Sequence, residues 1–186
     1  GGTAPVLTSS VEALNLNYAD ADKEALTLNW TNPNYTFTTG VSSQDVSYII
    51  EIDTVGSNFS NPQKQSVSVS KDLSRSFVIS QFNDYLLNQL VLKPGVQHTL
   101  EIRVVASLGN GAGTLVSNSL QLNATPYAIP PKVNPPASGE LYITGSAVAS
   151  GWTNVPPKET QQFTQVSETF YTLVVDLIGG SSYTFL

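Results

Sequence analysis

At 186 residues, 40% of them apolar and 12% charged, the chain is long enough for one full domain and a remainder, and this balance excludes charge-driven disorder. Eight Lys and Arg against 14 Asp and Glu give a net charge of −6 with no basic stripe, so nucleic acid is excluded as a partner. The absence of Cys and the single His exclude disulfides and thiolate or His-rich metal sites, and no cofactor is expected.

The predicted elements run strand after strand. A first run lies near Val6-Leu7 or Leu14-Leu16; then Leu26, Leu28 and Trp30 alternate with Thr27 and Asn29. Tyr48, Ile50 and Ile52 alternate with Ile49, Glu51 and Asp53, and Val67 and Val69 with Ser66, Ser68 and Ser70. Phe77 and Ile79 follow. Leu100, Ile102 and Val104 then alternate with Thr99, Glu101 and Arg103, and Leu120 and Leu122 close the series. Period-2 alternation puts one face on a core and the other in water, and seven such runs predict an all-β antiparallel sandwich of two sheets. Trp30 continues the inward face of Leu26 and Leu28, which makes it a core residue. One stretch departs from the pattern: Ser80 is placed to cap a helix with Phe82, Leu86, Leu87 and Leu90 on one side, stopped by Lys93-Pro94-Gly95.

Five prolines between Pro126 and Pro136 change the composition, so residues 127–139 read as an extended, semi-rigid linker after a domain spanning 1–126. Strands resume at Leu141-Tyr142-Ile143, Phe170 to Leu177 and Tyr183-Thr184-Phe185. A sandwich takes about 100 residues, so 140–186 is expected to be the N-terminal half of a second one. Gly1-Gly2 reads as a trimmed boundary, with any signal sequence or lipid-bearing cysteine expected upstream.

Three features of the first domain resemble a fibronectin type III or immunoglobulin-like sandwich: Trp30 ending its strand, Leu92-Lys93-Pro94-Gly95 leading into Ile102-Arg103-Val104-Val105-Ala106, and the exit through Ala124-Thr125-Pro126. His98 stands where such domains carry a corner tyrosine, and its imidazole can make a similar bond to backbone. The opening Ala4-Pro5-Val6-Leu7, the linker, Leu141-Tyr142-Ile143-Thr144-Gly145-Ser146-Ala147, Gly151-Trp152 and Gly180-Ser181-Ser182-Tyr183-Thr184-Phe185 extend the likeness. In this order they resemble the SusE-like family of surface starch-utilisation lipoproteins. The resemblance implies a non-catalytic, lipid-anchored protein of the outer membrane that binds starch-like polysaccharide beside other outer-membrane glycan-uptake proteins. It also implies that the first domain is a spacer and that 140–186 enters a carbohydrate-binding module. Two alternatives stay open: a pure protein–protein interaction module, and an accessory spacer of a larger polysaccharide-degrading enzyme.

Sugar rings offer C–H faces that stack on aromatic planes, which makes Trp152, in a loop between Gly151 and Pro156-Pro157, the main candidate contact. Lys158 and Tyr142 are the secondary candidates. Where the family's closing strand reads Tyr-Lys-Phe, Tyr183-Thr184-Phe185 lacks that lysine and one possible hydroxyl contact. A ring carried on half a sheet is expected to hold glycan weakly. Elsewhere, Tyr35 and Phe37 are expected to cover the open end of the core. Asp20, Asp22 and Glu24 read as a solvated turn, since a calcium loop would want Gly where Ala25 stands and Glu where Thr31 stands. Glu51 and Asp53 share the outer face of a strand, Gly109 to Gly113 reads as a hairpin turn, and no Gly-x-Ser-x-Gly elbow accompanies His98.

Overall fold

The computed structural model describes residues 1–37, 45–131 and 133–186. They form two compact units, Gly1–Ile129 and Pro130–Leu186. In the first, the alternating runs become a sandwich. One sheet has the order β1-β3-β6, with β1 at Leu7–Ser9, β3 at Glu24–Trp30 and β6 at Ser74–Val78. The other has the order β2-β9-β7-β4-β5: β2 is Ala13–Asn15, β4 Val46–Thr54, β5 Gln65–Ser70, β7 His98–Leu108 and β9 Leu120–Thr125. A short β8 (Leu115–Val116) returns along β7 after the Gly109 to Gly113 turn.

Pairing is antiparallel throughout this unit except between β2 and β9, which run parallel. Both candidate positions for the first strand are used. The Ser9 hydroxyl donates to the Val11 carbonyl (2.7 Å) and accepts its N–H (3.2 Å), turning the chain from β1 toward β2. One edge segment thereby serves both sheets.

The core lies where the inward faces meet. Leu26, Leu28 and Trp30 from one sheet join Tyr48, Ile50, Ile52, Leu100, Ile102 and Val104 from the other. Trp30 is 4% exposed, with its ring centroid 5.5 Å from that of Tyr48. Each such side chain contributes about 1.5–3 kcal/mol by leaving water.

The helix starts differently from expectation. It runs Ile79–Asp84 (α1), so Ile79 belongs to the helix rather than the strand, and Ser80 lies inside the first turn. Val78 occupies the N-cap position and makes no side-chain cap bond. No serine cap is needed because backbone carbonyls take the first donors: Ile79 N–H bonds Lys23 O and Ser80 N–H bonds Ala21 O, both at 2.9 Å. A π-helical turn follows at Tyr85–Gln89, and Phe82, Leu86 and Leu90 are buried as the spacing requires.

A second correction concerns Glu51 and Asp53. Both occupy the outer face of β4, yet they are 8% and 0% exposed. The segment between β4 and β5 folds back over that face. Phe59 lies against Arg103 (4.2 Å from guanidinium to ring centroid), and Arg103 and Lys64 both pair with Glu51 at 2.9 and 3.2 Å. Asp53 accepts from the Thr54 N–H and from Asn61.

Two asparagines fasten distant segments by imitating a strand partner. Asn118 accepts from Leu7 N–H (2.7 Å) and donates to Leu7 O (3.1 Å). Asn83, fully buried, makes the same pair of bonds to Tyr127.

The second unit contains two two-stranded ladders. β10 (Ile143–Thr144) pairs with β13 (Thr184–Phe185), and β11 (Thr164–Ser167) with β12 (Phe170–Thr172). The strand expected over Phe170 to Leu177 stops at Thr172, beyond which Val174 is 99% exposed and has no ladder to join. A one-turn helix, α2 (Lys158–Gln161), and β11 are additions to the expected elements. Among the described residues no helix is long and apolar enough to cross a membrane.

Candidate functional site

β10 organises the region around Trp152. After Thr144 the chain must turn sharply beside the segment leading into β13. Gly145 makes this possible: its φ is +137°, and a Cβ there would sit 2.6 Å from Tyr183 Cα. Successive turns follow, with Val148 N–H bonding Gly145 O (3.2 Å), Gly151 N–H bonding Val148 O (3.0 Å) and Gly145 N–H bonding Gly151 O (3.1 Å). Ala147 N–H bonds Ser182 O at 3.0 Å, and Ala147 and Val148 are both buried. The loop thus has a small apolar foot of its own.

Trp152 leaves this loop 61% exposed. Among the described residues no aromatic ring or cation stacks on it. The backbone on either side of it converges on one hydroxyl. Thr144 Oγ1 accepts from Thr153 N–H at 3.0 Å and stands 2.9 Å from Thr153 O and 3.2 Å from Gly151 O. Thr144 itself is 3% exposed. Sequence reasoning did not single it out, because a lone threonine in a strand carries no spacing signal.

Tyr142 and Lys158 meet at a different point, Glu140. Lys158 Nζ lies 3.0 Å from Glu140 Oε1. The hydrogen-bonded ammonium and its charge hold the Glu140 carboxyl below the usual carboxylate range, and Glu140 in turn raises Lys158; Tyr142 adds to the lowering of the first and the raising of the second. The pair is solvent-exposed, so it adds little to stability. Lys158 opens α2 rather than lying in a loop, and Gln161 at the other end of that helix donates to Ile143 O at 2.8 Å, tying α2 to β10. Tyr142 is half-buried and bridges Gln162.

Two clefts lie in the second unit, neither of them lined by Trp152, Tyr142 or Lys158. One, of about 370 Å³, is lined by Val148 and Ala149 of the Trp152 loop together with Glu159, Thr160, Leu173 and Asp176. The other, of about 470 Å³, is apolar and includes Pro135, Pro136, Leu141, Tyr171 and Phe185.

The remaining sequence candidates have structural surroundings. Tyr35 donates its hydroxyl to Gly113 O (2.6 Å) over the end of the first unit, beside Leu108 and Leu115, and Phe37 is 37% exposed there. Asp20 pairs with Lys23, and Glu24 accepts from Thr27, which holds its carboxyl below the usual range. Glu51 is taken by Arg103 and Lys64. His98 Nε2 lies 2.9 Å from Lys93 O, the backbone bond expected at the strand corner.

The family model described as SusE outer membrane protein matches residues 1–105, more than half of this chain. No curated protein matches it.

Proposed function

The chain belongs to the SusE family of outer membrane proteins, and from that premise we propose that it is a non-catalytic cell-surface protein that binds starch-like polysaccharide through Trp152. Residues 1–126 act as a spacer, 127–139 as a linker, and 140–186 as part of a carbohydrate-binding sandwich held at the outer membrane by a lipid anchor. The observation that carries the reading is the free tryptophan face. An indole left 61% exposed, with no ring stacked on it among the described residues, lacks apolar contact that a sugar C–H face supplies. Glu159 and Asp176, in a cleft that shares Val148 and Ala149 with the Trp152 loop, offer acceptors for sugar hydroxyls, while Lys158 and Tyr142 supply donors.

Retention of the protein and its Trp152→Ala variant on immobilised amylopectin tests this. The variant is expected to be retained roughly tenfold less, the scale of losing one aromatic anchor. Equal retention of the two proteins removes Trp152 from the site.

A second reading is favoured by the apolar side chains that the second unit leaves in water. Val155, Val166, Phe170, Val174 and Ile178 are all more than half exposed. Such a surface suits a docking module for neighbouring proteins of a glycan-uptake complex. Absence of any polysaccharide retention by the protein favours this alternative.

A further inference from the structure

We propose that Thr144 is a positioning residue: its buried hydroxyl fixes the backbone on both sides of Trp152 and so presets the indole for a glucan ring. The inference rests on the proposed glycan reading and adds to it the part of the chain that makes the platform stiff. A hydroxyl has one proton and two lone pairs. At Thr144 the single proton is shared between the Thr153 carbonyl at 2.9 Å and the Gly151 carbonyl at 3.2 Å, and a lone pair takes the Thr153 N–H at 3.0 Å. The residues immediately before and after Trp152 are therefore tied to the same atom. That atom belongs to β10, whose own backbone is paired with β13 and whose preceding carbonyl, Ile143 O, is taken by Gln161. The Gly145 N–H bond to Gly151 O adds a third tie from the same strand end.

Binding to a mobile side chain costs ordering that a preset side chain has already undergone. A two-stranded ladder is a poor platform only if the ring depends on a wider sheet to hold it. Here the backbone that carries the ring is held within ten residues, between Thr144 and Thr153. Thr144 is buried and its hydroxyl makes the bonds to the loop, so substitutions that keep either the methyl or the hydroxyl separate the two parts.

The test uses the full chain in a Trp30→Phe background, where Trp152 is the only tryptophan left of two. Time-resolved fluorescence anisotropy of Trp152 is measured without ligand, then affinity for maltoheptaose by fluorescence titration. Thr144→Val keeps the volume and removes the hydroxyl; it is expected to release fast indole motion and to weaken binding about two- to tenfold. Thr144→Ser keeps the hydroxyl and loses the methyl; it is expected to keep both the slow anisotropy decay and the affinity. Unchanged anisotropy in Thr144→Val overturns the positioning role, whatever the glycan does. Faster motion with unchanged maltoheptaose affinity also overturns it, since the order then serves nothing at the site. Failure of the glycan reading looks different: the anisotropy responds to Thr144→Val while neither the parent nor any variant binds maltoheptaose, which overturns the proposal at its premise.

Discussion

Trp30 carries a buried indole N–H with no hydrogen-bond partner among the described residues. Its ring is valuable to the core and its nitrogen is not, because a desolvated donor without an acceptor costs free energy. Trp30→Ala should lower stability by about 3–5 kcal/mol, through lost burial and the cavity left beside Tyr48. Trp30→Phe should cost much less, since it keeps most of the ring and discards the orphaned donor. Urea unfolding of both variants checks the order; a Phe variant as unstable as the Ala variant would mean the nitrogen has a partner after all. Asn83 is the opposite case. Its amide serves both backbone groups of Tyr127, so Asn83→Ala strands a partly buried donor and acceptor and should cost about 1 kcal/mol in the same measurement. The core place of Trp30 was legible in its alternation with Leu26 and Leu28, but neither its orphaned nitrogen nor the role of Asn83 was visible in the sequence. The partners lie 44 residues apart, and an asparagine within a helical pattern gives no sign of what it will meet.

At the scale of elements, β4 shows where alternation informs and where it stops. The period-2 pattern correctly assigned Tyr48, Ile50 and Ile52 to the core side, and Glu51 and Asp53 to the other. It reports which face a residue takes, not whether another segment later covers that face. The β4–β5 connection does cover it, pressing Phe59 onto Arg103 while Arg103 holds Glu51. Guanidinium is suited to both tasks at once because it is flat and forked. Arg103→Lys should therefore cost about 1 kcal/mol despite keeping the charge, and thermal melting of the variant would show it; an unchanged melting temperature would mean that the connection is held without the stacked cation. The helix after β6 teaches a related lesson. Its apolar face was legible from Phe82, Leu86 and Leu90, whereas its start was not, because the carbonyls of Ala21 and Lys23 that satisfy its first donors belong to a distant loop. The Trp152 loop combines both situations. An exposed tryptophan beside glycine and proline could be suspected from sequence, but the hydroxyl that orders its backbone lies on a strand, nine residues before the Thr153 that it holds.

For the molecule as a whole, the contrast between the units is one of sheet size. The first has a five-strand path with long ladders between β4 and β7, and a continuous core. The second has two-stranded ladders, which hold little on their own. Native-state hydrogen exchange should accordingly find the slowest amides in β4 and β7 and fast exchange throughout β11 and β12. Equal protection in both units would mean that the apolar side chains exposed in the second are covered in solution. The Trp152 loop is expected to exchange more slowly than β11, because the Thr153 N–H is held by a buried hydroxyl.

The central claim is that glycan is held on the exposed face of Trp152, and the two tryptophans allow it to be read directly. Trp30 is 4% exposed and Trp152 61%, so iodide quenching of the intact protein reports Trp152 almost alone. Quenching should be measured with and without saturating soluble amylopectin. The account predicts that amylopectin shields the accessible tryptophan and that the shielding disappears in Trp152→Ala along with the quenchable fraction. Retention on amylopectin with Trp152 still fully quenched would contradict it.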